Sequence, residues 1–355
     1  MSAKTKNRGD EMELSARKQA IILAVVDEYI RTGEPIGSKA LTELLENAPS
    51  SATLRNEMSE LCELGFLEQP HTSAGRIPTS NAYKLYVENL PSQQLLSSPR
   101  REAIDRMLYG AAENPEQICV SISRIVSSLT GLPALCTTVS EENSHLTKVQ
   151  LIPLGRHSAM LVAITSHGRA LSRLCRTSGE LTNENVSLFE QIAKQRIIEV
   201  PVGRITPAFL QSIMVSASAT AFSLMPVFNI LFEMIGDVGT AKLEIDGQAK
   251  LFSLCRSDSE AREILSLFDR KEALISMLSD INKPISVLFG NEMHFARRNP
   301  STVIIASFNT GNGEYGRIGV VGPERMSYGQ IIPSLTYIAD KAGDIMKQAL
   351  TDMED

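Results

Sequence analysis

Residues 50–79, SSATLRNEMSELCELGFLEQPHTSAGRIPT, constrain what this chain can fold into more than any other stretch. Ser50 stands where an N-cap belongs, since its hydroxyl can take up a free amide of a first helical turn. Leu54, Met58 and Leu61 then recur at helical spacing and mark a buried face. Ala52, Arg55, Asn56 and Ser59 fall on the opposite stripe, all small or hydrogen-bonding. Such a stripe suits the DNA major groove, where Arg pairs with guanine and Asn with adenine. Gly65 ends the helix, and Phe66-Leu67-Glu68 reads as a short strand entering a turn. The loop from Gln69 to Arg76 carries His71, Thr72, Ser73, Gly75 and Arg76, all able to meet a phosphate, before a second short strand. A helix followed by a two-stranded wing is the reading end of a winged helix. The same pattern also describes an ordinary amphipathic helix with a solvated hairpin.

Charge weighs against bulk electrostatic attraction to nucleic acid. The chain of 355 residues carries a net charge of −6, and its first 80 residues hold nine Lys/Arg against twelve Asp/Glu. A head of this kind must bind DNA through a few placed cations and base contacts, as one of a pair. Lys4, Lys6 and Arg8 offer a basic arm ahead of it. Length allows two or three domains, and 43% hydrophobic residues supply real cores. Five cysteines, Cys62, Cys119, Cys136, Cys175 and Cys255, show no CxxC spacing, which argues against a disulfide framework and a zinc site. The first residues are polar and no apolar run reaches membrane-spanning length, so the expectation is a cytoplasmic protein without a membrane partner.

Ahead of the reading stretch the sequence predicts two more helices. Ser15 caps the first, with Ile21, Ile22, Val25, Val26 and Tyr29 inward and Gly33 as a left-handed C-cap. Glu34-Pro35-Ile36-Gly37 makes a turn, and Ser38 caps a second helix buried through Leu41, Leu44 and Leu45. Three helices and a wing form a winged variant of the helix-turn-helix. The segments YIRTGEPIGSKAL, SSATLRNEMSEL and LGFLEQPHTSAGRIPT closely resemble the bacterial heat-inducible transcription repressor family HrcA. Candidate DNA contacts are Lys39 in the second helix, Ser51, Ala52, Thr53, Arg55, Asn56 and Ser59 in the third, and His71, Thr72, Ser73 and Arg76 in the wing.

Residues 81–87 continue as a helix leaving the wing, and the Pro/Ser/Gln-rich run from Leu90 to Pro99 marks a domain boundary. Ile118–Leu129 is an amphipathic helix, followed by strands at Ala134–Val139 and Lys148–Leu154. Met160–Thr165 and Ala170–Cys175 flank a hairpin turn at Ser166–Arg169. Helical sequence runs from about Asn183 to Ile235, interrupted at Pro201, Pro207 and Pro226. Its apolar part, Ala217–Met225 with Phe228, Leu231, Phe232 and Ile235, reads as core, with part of it available to a subunit interface. A second hairpin is expected over Ala241–Leu254, turning at Asp246-Gly247. Helices at Ser259–Phe268 and Lys271–Ile281, strands at Ile285–Phe289, Thr302–Phe308 and Tyr315–Val321, and a helix from about Ser327 to Leu350 complete the chain. IGVVGPERMSYGQIIPSLTYIADK resembles the end of the same family.

That resemblance implies an α+β multidomain chain: a winged-helix head over residues 1–90, and a GAF-like α/β domain over 100–156 and 257–350. An inserted α+β dimerisation domain would fill 157–256. It further implies a homodimeric, non-enzymatic repressor of chaperone operons that holds a double-stranded inverted-repeat operator and releases it on heat stress. The chaperonin GroEL is the implied protein partner. The alternative is a regulator in which the GAF-like domain binds a metabolite. No cofactor is expected. Gly311-Asn312-Gly313-Glu314-Tyr315-Gly316 matches a GxGxxG pattern but leads into a strand, so no helix N-terminus stands ready for a phosphate. Gly290-Asn291-Glu292 reads as a turn, and His71, His145, His157, His167 and His294 lack metal-ligand spacing. Nothing assembles a nucleophile, a base and an oxyanion hole.

Overall fold

A computed structural model describes residues 14–354, apart from 47, 72–73, 92–95, 112–116, 138–143, 167–169, 216–223, 240–242, 282, 291, 294–300 and 312–313. The basic arm at Lys4, Lys6 and Arg8 lies outside the described residues. The chain clusters into two compact units. One comprises Met1–Leu96 with Leu288–Thr302 and Gly322–Ser334; the other comprises Ser97–Val287, Val303–Val321 and Leu335–Asp355.

The first unit opens with α1 (Ala16–Thr32), whose cap Ser15 accepts from the Lys18 amide at 3.3 Å. Ile21, Ile22, Val25, Val26 and Tyr29 are all buried, and Gly33 closes the helix at φ 74° with its amide on the Tyr29 carbonyl. An L side chain is disfavoured at that φ, and a Cβ there would also lie 2.8 Å from Nη1 of Arg325. The next helix, α2 (Ser38–Leu44), differs from expectation in two ways. Gly37 holds the N-cap position, while the Ser38 hydroxyl bonds that of Ser51 at 2.9 Å. Leu44 stays 44% exposed, because a seven-residue helix turns only Leu41 fully inward. Then come α3 (Ser51–Glu63), β1 (Leu67–Glu68), β2 (Ile77–Pro78) and α4 (Ser80–Glu88). The two strands pair antiparallel, with Leu67 opposite Pro78 and Glu68 opposite Ile77. Helix α4 is pinned to α1 by the Tyr86 hydroxyl, which donates to Asp27 at 2.9 Å. Burial and that hydrogen bond push the Tyr86 phenol up to about 12.

The second unit begins with a helix that periodicity did not disclose, α5 (Ser98–Ala111). Among its described side chains only Ile104 and Leu108 are fully buried, too few apolar positions to announce a helix in a run that starts Ser-Pro-Arg-Arg. There follow α6 (Ile118–Thr130), β3 (Ala134–Thr137), β4 (Leu146–Gly155), β5 (Ser158–Thr165), β6 (Ala170–Arg176), α7 (Asn183–Arg196), α8 (Pro207–Val215), α9 (Met225–Gly239) and β7 (Leu243–Asp246). The chain ends with α10 (Leu251–Leu254), α11 (Asp258–Leu265), α12 (Lys271–Ser279), β8 (Ile285–Phe289), β9 (Ser301–Gly311), β10 (Glu314–Pro323) and α13 (Tyr328–Glu354). No described helix is long and apolar enough to cross a membrane.

Two larger sheets organise these elements. A five-stranded sheet has the order β7-β3-β10-β9-β8, and a three-stranded sheet the order β4-β5-β6. The pairing sorts the strands differently from the expected limits of 157–256. Strand β4, placed before the insertion, pairs with β5 in register Leu151–Leu161. Strand β7, placed inside it, pairs antiparallel with β3, Thr137 opposite Leu243 and Ala134 opposite Asp246. The hairpin expected over Ala241–Leu254 is therefore absent. Its first strand finds its partner far earlier in the chain, and after Gly247 the backbone turns helical, with the Lys250 ammonium donating to the Ser127 carbonyl at 2.7 Å.

One face of the three-stranded sheet carries Val149, Leu151, Ala159, Leu161, Ala163 and Cys175, which share a core with Phe189 of α7 and Phe228, Leu231, Met234 and Ile235 of α9. The Phe189 and Phe228 rings lie 4.9 Å apart at 50°, within the range where aromatic pairs attract. Helix α9 thus turns its apolar residues inward; residues 217–223 of the expected run lie outside the described ones. In the larger sheet, Arg317 of β10 is buried and donates to the carbonyls of Ile281 and Tyr315 at 2.7 and 2.8 Å. Burial lowers its pKa from the usual arginine value. The GxGxxG match begins at the end of β9 and runs into β10, two neighbouring strands.

The Phe189–Phe228 contact yields a first test. Phe228→Ala removes a fully buried ring from the small core and should cost about 3–5 kcal/mol of unfolding free energy. Urea titration followed by circular dichroism would register this as a lower midpoint; an unchanged midpoint would remove this core from the protein's stability.

Candidate nucleic-acid interface

The interface is built on α3. The Ser50 hydroxyl accepts from the Thr53 amide at 3.2 Å and also bonds the Thr53 hydroxyl at 2.9 Å. Leu54, Met58 and Leu61 are buried as their spacing requires. On the other side Ala52, Arg55 and Asn56 are exposed and Ser59 is half-buried, its hydroxyl donating to the Arg55 carbonyl at 3.0 Å. Ser51 and Thr53 are differently employed. Their hydroxyls bond Ser38 and Ser50, so they fix the front end of α3 and its junction with α2. Lys39, beside Ser38, is exposed.

Three of the head's acids stand in ion pairs. Glu57, on the buried side of α3, receives Arg17 of α1 at 2.5 Å, and Glu60 receives Lys18 at 2.8 Å. Glu28 and Arg31 pair within α1 at 2.6 Å. The carboxylates of Glu57 and Glu60 are thereby matched on the side of α3 facing α1, and the exposed side carries Arg55 near its start and Glu63 at its end. The helix N-terminus adds the positive end of its dipole. Sequence reasoning counted these acids without placing them. The available signal was the phase of Glu57, which shares the side of Leu54 and Leu61.

The wing is stitched to the turn before α2. Arg76 and Ile36 exchange two backbone hydrogen bonds, at 2.8 and 2.9 Å. A Cβ on Gly75 would lie 2.5 Å from the Ile36 carbonyl group, so only glycine allows that approach. The loop folds back on itself: the Gln69 side-chain amide donates to the Ala74 carbonyl at 3.1 Å, and the Ala74 amide to the His71 carbonyl at 2.9 Å. His71 is exposed and Arg76 half-buried, while Thr72 and Ser73 lie outside the described residues. Ile36 as a third rung of the wing was not read from the sequence, where it is one apolar residue between Pro35 and Gly37.

The arrangement offers a surface that can bind and orient a ligand. Among the described residues no group of three or more His, Cys, Asp or Glu could hold a metal ion, and the five cysteines are free thiols. Gly290 and Glu292 sit in a turn, with the Glu292 carboxylate accepting from the Phe289 amide at 3.0 Å.

Comparison with known proteins agrees with this geometry. Residues 13–91 match the family described as the winged helix-turn-helix transcription repressor, HrcA DNA-binding, and residues 116–332 match the HrcA protein C terminal domain. The chain is 31% identical to the heat-inducible transcription repressor HrcA of Thermobifida fusca, over 95% of this chain and 98% of that one. It is 29% identical to that of Acetivibrio thermocellus, over 93% and 95%. A crystal structure of a hypothetical protein superposes with a TM-score of 0.63 at 20% identity, covering 95% of this chain and 99% of that one; that likeness shows the fold alone.

Two tests follow from the geometry of α3. Arg55→Ala and Asn56→Ala should each weaken binding to the specific site by about 1–3 kcal/mol while scarcely changing binding to scrambled DNA; equal losses on both would make them backbone contacts. Arg17→Ala leaves the Glu57 carboxylate buried without its cation and should lower stability by about 1–3 kcal/mol. Adding Glu57→Gln should return most of that loss, measured as a double-mutant cycle by thermal melting.

Proposed function

The chain belongs to the HrcA family of heat-inducible transcription repressors, DNA-binding and non-enzymatic, and from that premise we propose how it acts. It binds an inverted-repeat operator ahead of chaperone genes as a homodimer and lets go on heat stress. Helix α3 enters the major groove with Ala52, Arg55, Asn56 and Ser59 toward base edges. Lys39 and the wing residues His71, Thr72, Ser73 and Arg76 meet the sugar–phosphate backbone. Ser51 and Thr53 hold the helix front rather than reading sequence. The observation that carries this reading is the exposed Arg55–Asn56 stripe on a helix whose Glu57 and Glu60 are paired with Arg17 and Lys18 on its other side.

In this reading the five-stranded sheet with α6 and α13 is the GAF-like domain, and the segment from β4 to α9 is the dimerisation insert. The three-stranded sheet supports it. Its helix-covered face is core, and its other face carries an apolar row among polar residues. Ile152 stands opposite Met160 and Met160 opposite Leu174 across the three strands, and all three are exposed, with Leu154 nearby. Contiguous exposed apolar residues of this kind mark an interface. A second copy of the chain covers this one, since a single acidic head has little hold on DNA and gains from a tethered partner. When subunits part, the uncovered face suits capture by the chaperonin GroEL.

Footprinting on chaperone promoters, at growth temperature and after a heat step, tests the reading as a whole. Leu174→Glu puts a charge at the end of this apolar row and should shift the protein toward monomer by light scattering, with operator affinity falling alongside. The release temperature of the wild type should rise with protein concentration, as mass action on a dimer demands. A release temperature independent of concentration would place the weak step within one subunit.

A further inference from the structure

The head is not a free module on a linker. Two segments from the far end of the chain, Leu288–Thr302 and Gly322–Ser334, belong to its compact unit. Their centre is Tyr328, fully buried, with the rings of Tyr83, Tyr86 and Phe289 at 5.9, 6.4 and 6.3 Å. Its hydroxyl donates to the Glu324 carbonyl at 2.6 Å. Three polar ties surround this aromatic hub. The Ser80 hydroxyl, at the start of α4, donates to the Glu324 carboxylate at 2.5 Å. Lys84, one turn along α4, pairs with Glu292 at 2.8 Å. Arg325 reaches the other helix: its guanidinium donates to the Ile30 carbonyl at 3.5 Å and lies against Gly33, at the negative end of the α1 dipole.

The geometry of these ties decides what they do. A single contact leaves a hinge and two leave an axis, but three that do not lie on one line fix an orientation. Here they reach two places on α4 and the end of α1. The last two are exposed or half-exposed, so each adds little to stability; their value is directional. The anchoring segments lie within the head's own compact unit and are continuous in sequence with β8, β9, β10 and α13.

We propose that Arg325, Lys84 and Glu292 are positioning residues for operator recognition, clamping the head so that two heads meet two half-sites at a fixed spacing. This rests on the dimeric reading above. A tethered second head gains from its effective concentration at the second half-site, which falls when the tether loosens. The clamp therefore matters for the paired site and not for a single one.

The test uses full-length protein carrying Lys84→Ala and Arg325→Ala together, with two synthetic duplexes: the footprinted inverted repeat, and the same duplex with one half scrambled. Affinity for the inverted repeat should fall on the order of tenfold, affinity for the half-site duplex less than about twofold, and the melting temperature should hold. Glu292→Gln should reproduce part of the loss, and Lys84→Arg should restore it. Equal losses on both duplexes would make these residues DNA contacts or supports of the head's own fold, and no loss would leave the clamp without a role; either outcome overturns the proposal. A wild type that binds both duplexes equally would instead overturn the dimeric reading, and the proposal with it.

Discussion

A reading helix can show Arg55 and Asn56 to a groove only if its other side is held, and in this protein the hold is ionic as well as apolar. Leu54, Met58 and Leu61 bury α3, but Glu57 sits on the same side and would be an isolated buried charge without Arg17. A buried carboxylate stripped of its partner is far costlier than a surface ion pair is valuable. Arg17 and Lys18 thus settle two matters together. They lock the phase of α3 against α1, and they neutralise two of its three carboxylates. Net charge, which argued against nucleic-acid binding, was the wrong quantity; the side of the helix on which each charge falls is the relevant one.

What was legible in the sequence was local. The 50–79 stretch displayed its cap, its buried face and its wing because each depends on residues within a few positions of one another. The C-terminal strands were visible as β-branched and apolar runs, and Gly33 as a cap because a left-handed residue must follow a helix end there. The misses share another cause. Strand β7 was assigned to a hairpin because Asp246-Gly247 is a turn signal, whereas its hydrogen bonds go to β3. Helix α5 buries few residues and so lacks a stripe. Ile36 pairs with Arg76, and Glu324 with Ser80, across separations that no periodicity encodes.

The two sheets of the second unit face opposite physical problems. In the five-stranded sheet β3, β9 and β10 are buried along most of their length, and even an arginine is enclosed, its two terminal nitrogens donating to carbonyls. The three-stranded sheet has helices on one side alone, and its other side keeps apolar residues such as Leu174 at 63% exposure.

The pairing of β3 with β7 has a consequence for how such a chain could arise. Thr137, where β3 ends, lies directly opposite Leu243, where β7 begins. The backbone therefore leaves the larger sheet and re-enters it at adjacent rungs of one antiparallel ladder, where a tight turn would serve as well. Topologically, everything from β4 to α9 is a hairpin loop grown into a folded body with a core of its own. Such a body can be lengthened, exchanged or excised at one rung without re-threading the sheet beneath it. Selection on that body can then proceed almost independently of selection on the sheet that carries it.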